Sequence, residues 1–318
     1  MVSGSAVAFE NVAVVPMDSE RLMEHQTVLV EGGRITWVKP ANEATVPANA
    51  QRIDGRGKYL SPGLADMHGH PLTEQDLRLY VAHGITTVRN MSGTPRHLSW
   101  RQRIARGELL GPRIYTAGPI LDGPGRRMAW KTTIVTAGDA VKTVGLIQQA
   151  GYDALKIYDE LQKDTYGYLM EAAAEHGLSV DGHVPFSVGV RGALRAGQRC
   201  SEHLLGYPEA LLPADQRPAN AIEGRAMLLG SDPSFVDERI QELAEATREH
   251  GMWNCPTLAA DFSPDGIAMP ILTRMTYGLR CHGSRPMRSP PISRSLTAFN
   301  GASRGPYAQS CLAGRCRS

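Results

Sequence analysis

Pro62-Gly63-Leu64-Ala65-Asp66-Met67-His68-Gly69-His70-Pro71 reads as a strand that ends in a His-x-His pair. Side chains alternate faces along a strand, so residues two apart point the same way. His68 and His70 therefore aim two imidazoles at one point. At the C-terminal end of a barrel strand, such a pair is the beginning of a metal site. Without further context the same residues are a strand-end turn with two solvated histidines, so the remainder of the chain must decide between the two.

Downstream of Leu60 the sequence alternates helical and β-rich stretches. Six glycines punctuate it, each followed by a β-rich or apolar run: Gly84, Gly111, Gly151, Gly177, Gly197 and Gly251. Glycine just past a helical stretch is the usual left-handed C-cap. Most of the six follow helical sequence, such as Tyr168 to His176. Helix, glycine, strand, repeated, is the pattern of a parallel α/β fold. With the His-x-His strand as the first, the pattern predicts seven barrel strands, one short of the eight that close a (β/α)8 barrel. The prolines and turn residues of 206–235 suggest a long βα-loop at the active-site end.

Upstream, residues 1–57 read as short strands: Ala6 to Phe9, Val12 to Val15, Thr27 to Glu31, Arg34 to Val38 and Arg52 to Asp54. Gly32-Gly33 between two β-rich runs predicts a two-residue hairpin. A sheet this small needs a partner to be stable.

The bulk numbers exclude several classes. The 318 residues are 42% hydrophobic and 21% charged, ordinary for a globular chain. No apolar run approaches the roughly 20 residues of a membrane helix. Met1 to Glu10 carries no basic stretch followed by an apolar one, which leads us to expect a cytoplasmic protein without membrane association. Five cysteines without a Cys-x-x-Cys pair indicate neither a zinc knuckle nor a disulfide framework.

The net charge of +2 hides an asymmetry. Residues 266–318 hold eight arginines and no Lys, Asp or Glu, which leaves 26 basic against 32 acidic residues in 1–265. This Arg-rich tail has no periodicity of either kind. It could be a nucleic-acid-binding arm or a disordered extension. The preferred expectation is that it is not the natural continuation of the chain but a shifted reading frame, and that no nucleic acid is bound.

Further candidate residues sit at predicted strand ends. Lys156 lies in Ala154-Leu155-Lys156-Ile157-Tyr158, His183 ends Leu178 to His183, and His203 ends Cys200-Ser201-Glu202-His203. A charged lysine within an apolar strand is expensive to bury. Reaction with carbon dioxide would turn it into an anionic oxygen ligand. His83, His176 and His250 each precede a glycine and read as helix-end residues. His25, His97 and His282 carry no supporting context. Cys200 and Cys255 read as small buried groups in strands.

In these motifs the chain resembles the amidohydrolase superfamily, in its imidazolonepropionase-like or Xaa-Pro dipeptidase-like branch. The resemblance rests on Ser61 to His70, Gly84-Ile85-Thr86-Thr87-Val88-Arg89, Gly111-Pro112-Arg113, Leu155 to Tyr158, Gly182-His183 and Glu202-His203, in that order. It implies an α/β fold: a metal-bearing (β/α)8 TIM barrel, incomplete here at about seven strands, with a small N-terminal β-sandwich portion. The implied organisation is 1–57 for the sandwich portion, 58–265 for the barrel and 266–318 for the tail. It implies that His68 and His70 bind a more buried zinc, that His183 and His203 bind a second, and that Lys156, as a carbamate formed from carbon dioxide, bridges them. Mn, Fe, Co or Ni could replace zinc at such a site. Tyr158 is a candidate contact for a substrate carboxylate.

The implied chemistry is attack of a metal-activated hydroxide on the carbonyl of a small-molecule amide, cyclic amide or dipeptide-like substrate. The family's proton-shuttling aspartate of strand eight has no counterpart in this sequence. Asp261 and Asp265, the last acidic residues, follow strand seven too directly. The expectation is therefore a carbon–nitrogen hydrolase that is crippled in this version, with a non-catalytic metal-binding remnant as the first alternative and nucleic-acid binding through the tail as the second. The oligomeric state is left open, a homo-oligomer included.

Overall fold

Helix starts in this chain are written as reciprocal caps. Thr73 accepts from the Asp76 amide while the Asp76 carboxylate accepts from the Thr73 amide, and Thr136 and Asp139 repeat the arrangement. Each pair satisfies two of the orphan donors of a helix N-terminus. In the computed structural model, residues 6–125, 131–213, a few positions between 215 and 227, and residues 233–257 are described. The expectations for Asp261, Asp265 and 266–318 lie outside the described residues.

The N-terminal sheet comprises β1 (Val7–Val14), β2 (Met23–Glu31), β3 (Arg34–Pro40), β4 (Gln51–Asp54) and β5 (Tyr59–Leu60). Its order is β3-β2-β1-β4, with β5 also on β1. The two runs expected at 6–9 and 12–15 are one strand with a bulge. The register of β1 against β2 shifts between Phe9 and Val12, where Asn11 takes φ 56°. The Gly32-Gly33 hairpin joins β2 to β3 as expected. Ala6, Ala8 and Leu29 form a small core, with Trp37, Val46 and Ala50 packed on it.

Seven parallel strands follow, each paired with the next: β6 (Leu64–Gly69), β7 (Ile85–Asn90), β8 (Arg113–Asp122), β10 (Ala154–Ile157), β11 (Ser179–Gly182), β12 (Cys200–Glu202) and β13 (Trp253–Cys255). A short additional strand, β9 (Lys131–Thr133), runs beside β8. The helices between them are α1 (Glu74–Ala82), α2 (Pro95–Ala105), α3 (Ala137–Ala150), α4 (Lys163–Glu175), α5 (Gly189–Ala196), α6 (Tyr207–Leu211) and α7 (Pro233–Glu249). Among the described residues this is the expected incomplete (β/α) TIM barrel of seven strands. Helix α6 falls inside the segment expected to be loop. Among the described residues no helix is long and apolar enough to cross a membrane.

The main core lies between sheet and helices. Leu155 and Ile157 of β10 and Val180 of β11 pack against Val144, Ile147, Leu169, Ala172 and Leu194 of the helices. One glycine differs from its expected use. Gly111 is not a left-handed cap: α2 ends at Ala105 with Arg106 as its C-cap, and Gly107 takes φ 75° instead. Gly111 is needed for close packing, since a Cβ there would lie 2.8 Å from Ile104 Cδ1.

Gly182, at the end of β11, positions the residue after it. Its φ of +139° is disfavoured for any side chain, and a Cβ would lie 2.3 Å from the Ile157 carbonyl oxygen. That carbonyl accepts from the His183 amide at 3.0 Å. Replacing Gly182 with alanine is expected to cost at least about 2 kcal/mol of folding stability, read as a shifted urea midpoint. An unchanged midpoint would show that β10 and β11 have room to part.

Candidate metal centre at the C-terminal end of the barrel

The strand ends carry their side chains into one cleft. His68 is the penultimate residue of β6 and His70 follows its end. Lys156 is the penultimate residue of β10, with Tyr158 just beyond. His183 and His203 directly follow β11 and β12. All six line a cavity of about 970 Å³, together with Asn90, Ser92, Ile120, Cys255 and Thr257. Parallel strands start and end together, so residues far apart in sequence meet at the same level of the barrel.

The imidazoles are in mutual contact. The Nε2 atoms of His68 and His70 lie 3.1 Å apart. Two nitrogens on one tetrahedral zinc at 2.0–2.1 Å would be separated by about 3.3 Å. The ring centroids of His68 and His203 are 4.6 Å apart, and those of His183 and His203 are 5.0 Å apart. His203 holds a left-handed backbone, φ 61°, and so does Leu204 at φ 53°. Such a conformation in a non-glycine pair is costly and is found where a side chain must be aimed.

Three of the four rings are tied from behind. His68 Nδ1 contacts the Glu202 carboxylate at 2.5 Å. His183 Nδ1 contacts Asp159 at 2.6 Å, and the Tyr158 ring stacks on it at 3.8 Å. His203 Nδ1 contacts the Thr257 hydroxyl. Burial, and then the neighbouring charges of His183, His68 and Lys156, push the His203 imidazole down to about 3. Burial also lowers His183, against the pull of Asp159. Neutral imidazoles are the form that binds a metal.

Lys156 is only 1% exposed, and its Nζ has no hydrogen-bond partner. Burial pushes its ammonium down to about 8, although the Glu202 charge works the other way. This buried amine without a hydrogen-bond partner lines the same cavity as the four histidines. Tyr158 lies with its ring 5.7 Å from that amine.

Four features escaped the sequence. Arg89 of β7 reaches across the barrel interior to the Met67 carbonyl (2.7 Å), Glu202 (2.5 Å), Cys200 Sγ (3.5 Å) and Asp181 (3.5 Å). Glu202 is fully buried, and despite that burial the hydrogen bond from His68 and the charges of Arg89 and Lys156 hold its carboxyl down to about 2. His97 is structural: it accepts from the Thr94 amide through Nδ1, and its Nε2 lies 2.8 Å from the Pro71 carbonyl. It thereby fixes the loop that follows His70. Cys255 is half-buried in the cavity wall rather than fully enclosed, and with His68 and Glu202 it forms a group whose ligand atoms lie within 4.8 Å of one another.

No family model matches the chain. Over 97 residues it is 30% identical to a 5-methylthioadenosine/S-adenosylhomocysteine deaminase of Symbiobacterium thermophilum, covering 30% of this chain and 20% of that protein. Over 64 residues it is 36% identical to an imidazolonepropionase of Idiomarina loihiensis, covering 19% of this chain and 16% of that protein. The matched stretches thus span about a fifth or less of these curated relatives. Among solved structures, a bottromycin amidohydrolase superposes with a TM-score of 0.57 at 22% identity, over 86% of this chain and 73% of the other. A Xaa-Pro dipeptidase with bound methionine in its active site gives 0.57 at 18% identity, over 86% and 75%.

A buried lysine without a partner costs stability, and that cost is testable. Lys156→Met is expected to stabilise the metal-free chain by about 1–3 kcal/mol in urea denaturation. A destabilised variant would mean that Lys156 is held for packing rather than for chemistry. The fold described here, a (β/α) barrel with His-x-His on its first strand, is shared with the amidohydrolase and dipeptidase structures it superposes on.

Proposed function

We propose that the chain is a metal-dependent hydrolase of carbon–nitrogen bonds, acting on a small-molecule amide, cyclic amide or dipeptide-like substrate. One observation carries the reading: His68, His70, His183 and His203 converge on a cavity that contains a buried lysine amine without a partner. It is supported by relatives that are a deaminase and an imidazolonepropionase and by structural neighbours that include an amidohydrolase and a dipeptidase.

The donor set fits two divalent ions, with zinc the first choice for imidazole ligands. His68 and His70 would hold one and His183 and His203 the other. Lys156 would bridge them after its neutral amine adds to carbon dioxide, forming an N–C bond, releasing one proton and leaving a carbamate oxygen pair. Burial favours this route because it disfavours the ammonium that would otherwise block addition. The chemistry such ions supply is a water acidic enough to ionise near neutral pH and polarisation of the scissile carbonyl.

The chain's own side chains do the rest of the positioning. Glu202, Asp159 and Thr257 fix three of the four imidazoles from behind. Tyr158, on the cavity wall beside His183, is placed to touch the substrate. The acid–base residue that protonates the leaving nitrogen is not assigned among the described residues.

The test is amide turnover by the purified chain before and after removal of metal. With a panel of dipeptides and cyclic amides, chelation is expected to abolish hydrolysis and zinc to restore it. His203→Asn is expected to lower kcat/KM by at least about a hundredfold. Turnover that survives chelation would overturn the reading. Bound zinc without turnover on any amide would favour a non-catalytic metal-binding barrel.

A further inference from the structure

The Glu202 carboxylate is enclosed by donors. Its Oε1 accepts from Arg89 at 2.5 Å and from Cys200 Sγ at 3.2 Å, and its Oε2 meets His68 Nδ1 at 2.5 Å. Arg89 is always cationic, so the group it grips is a carboxylate, which can only accept. The proton between Glu202 and His68 therefore belongs to Nδ1, and His68 is the donor. With its oxygens engaged and no exposed surface, Glu202 has little freedom to serve as a ligand itself, although Cys255 and His68 lie within reach of it.

We propose that Glu202 is a positioning residue: clamped by Arg89, it takes the His68 Nδ1 hydrogen bond and thereby leaves Nε2 bare and aimed into the cavity. The inference rests on reading His68 as a metal ligand. A neutral imidazole has one protonated and one bare nitrogen, and the partner of one decides which is which. Nε2 is the atom that faces His70 Nε2 at 3.1 Å. Turned the other way, His68 would present an N–H where a lone pair is required. Arg89 acts one step further out. It is anchored on the Met67 carbonyl of the same strand that carries His68, so strand β6 and the carboxylate are held in one frame.

Two measurements test this. The first needs no variant. Histidine-specific 15N labelling of the full chain, with His68 assigned through its loss in His68→Asn, reports the tautomer directly. Recorded metal-free at about pH 9, well above the ordinary imidazole range, His68 is expected as the Nδ1–H tautomer. Zinc is then expected to shift its Nε2 resonance and not its Nδ1. An Nε2–H tautomer, or an even mixture, would overturn the proposal.

The second is zinc affinity, by competition with a chromophoric chelator. A glutamine at 202 offers one acceptor oxygen where the carboxylate now takes three donors on two. Glu202→Gln is expected to weaken zinc binding by about 10–100-fold with unchanged stoichiometry and a native circular-dichroism spectrum. Unchanged affinity would overturn the proposal, and so would loss of one zinc equivalent, which would make Glu202 a ligand. If Glu202→Gln does not fold, the tautomer in the unsubstituted chain decides. If that chain binds no zinc, the hydrolase reading fails while the His68 tautomer still tests the role of Glu202.

Discussion

The ion pair between Arg89 and Glu202 is the interaction on which the rest of the barrel interior depends. Arg89 starts on β7 and touches groups from β6, β11 and β12, so one guanidinium ties four of the seven strands together. The carboxylate it holds is fully buried, and a buried charge stripped of its partner costs about 3–5 kcal/mol. Arg89 also determines which face of Glu202 is free for His68. A structural ion pair and the orientation of a candidate ligand are therefore the same feature.

The site is arranged in layers. Nearest the cavity are the imidazoles and the Lys156 amine. Behind them stand Glu202, Asp159 and Thr257, each on a different imidazole. Behind Glu202 stand Arg89 and Cys200. Burial favours the neutral form of His70, His183 and His203, and in part that of the lysine. That is unfavourable for a resting protein and useful for one that binds cations, since neutral imidazoles are the form that binds a metal.

The strands and the cavity residues were legible in the sequence because both have short-range signals. Period-two alternation ending in His68 and His70, and glycines after helices, are local patterns that need no knowledge of the tertiary fold. His183 and His203 could be paired with them because strand ends in a parallel barrel lie on one rim. Arg89 and Glu202 were quoted within motifs, yet their roles were invisible. Their contact spans 113 positions, and nothing local distinguishes an inward arginine from an outward one. The one available hint was Glu202 itself, an acid two residues from the apolar Cys200 on the same strand face and one before a candidate ligand. His97 was passed over for a similar reason, because its partner Pro71 lies 26 positions away. Gly111 was misread because a glycine needed for close approach and a glycine needed for a left-handed cap look alike in sequence.

The central claim is that four histidines and a carbamylated lysine make one binuclear centre. Elemental analysis of the full chain, equilibrated with limiting free zinc in the presence and absence of bicarbonate, tests it most directly. The account predicts two zinc ions per chain with bicarbonate, fewer without it, and no effect of bicarbonate in Lys156→Met. Zinc content below one equivalent under both conditions, or two equivalents regardless of bicarbonate and of Lys156, would contradict it.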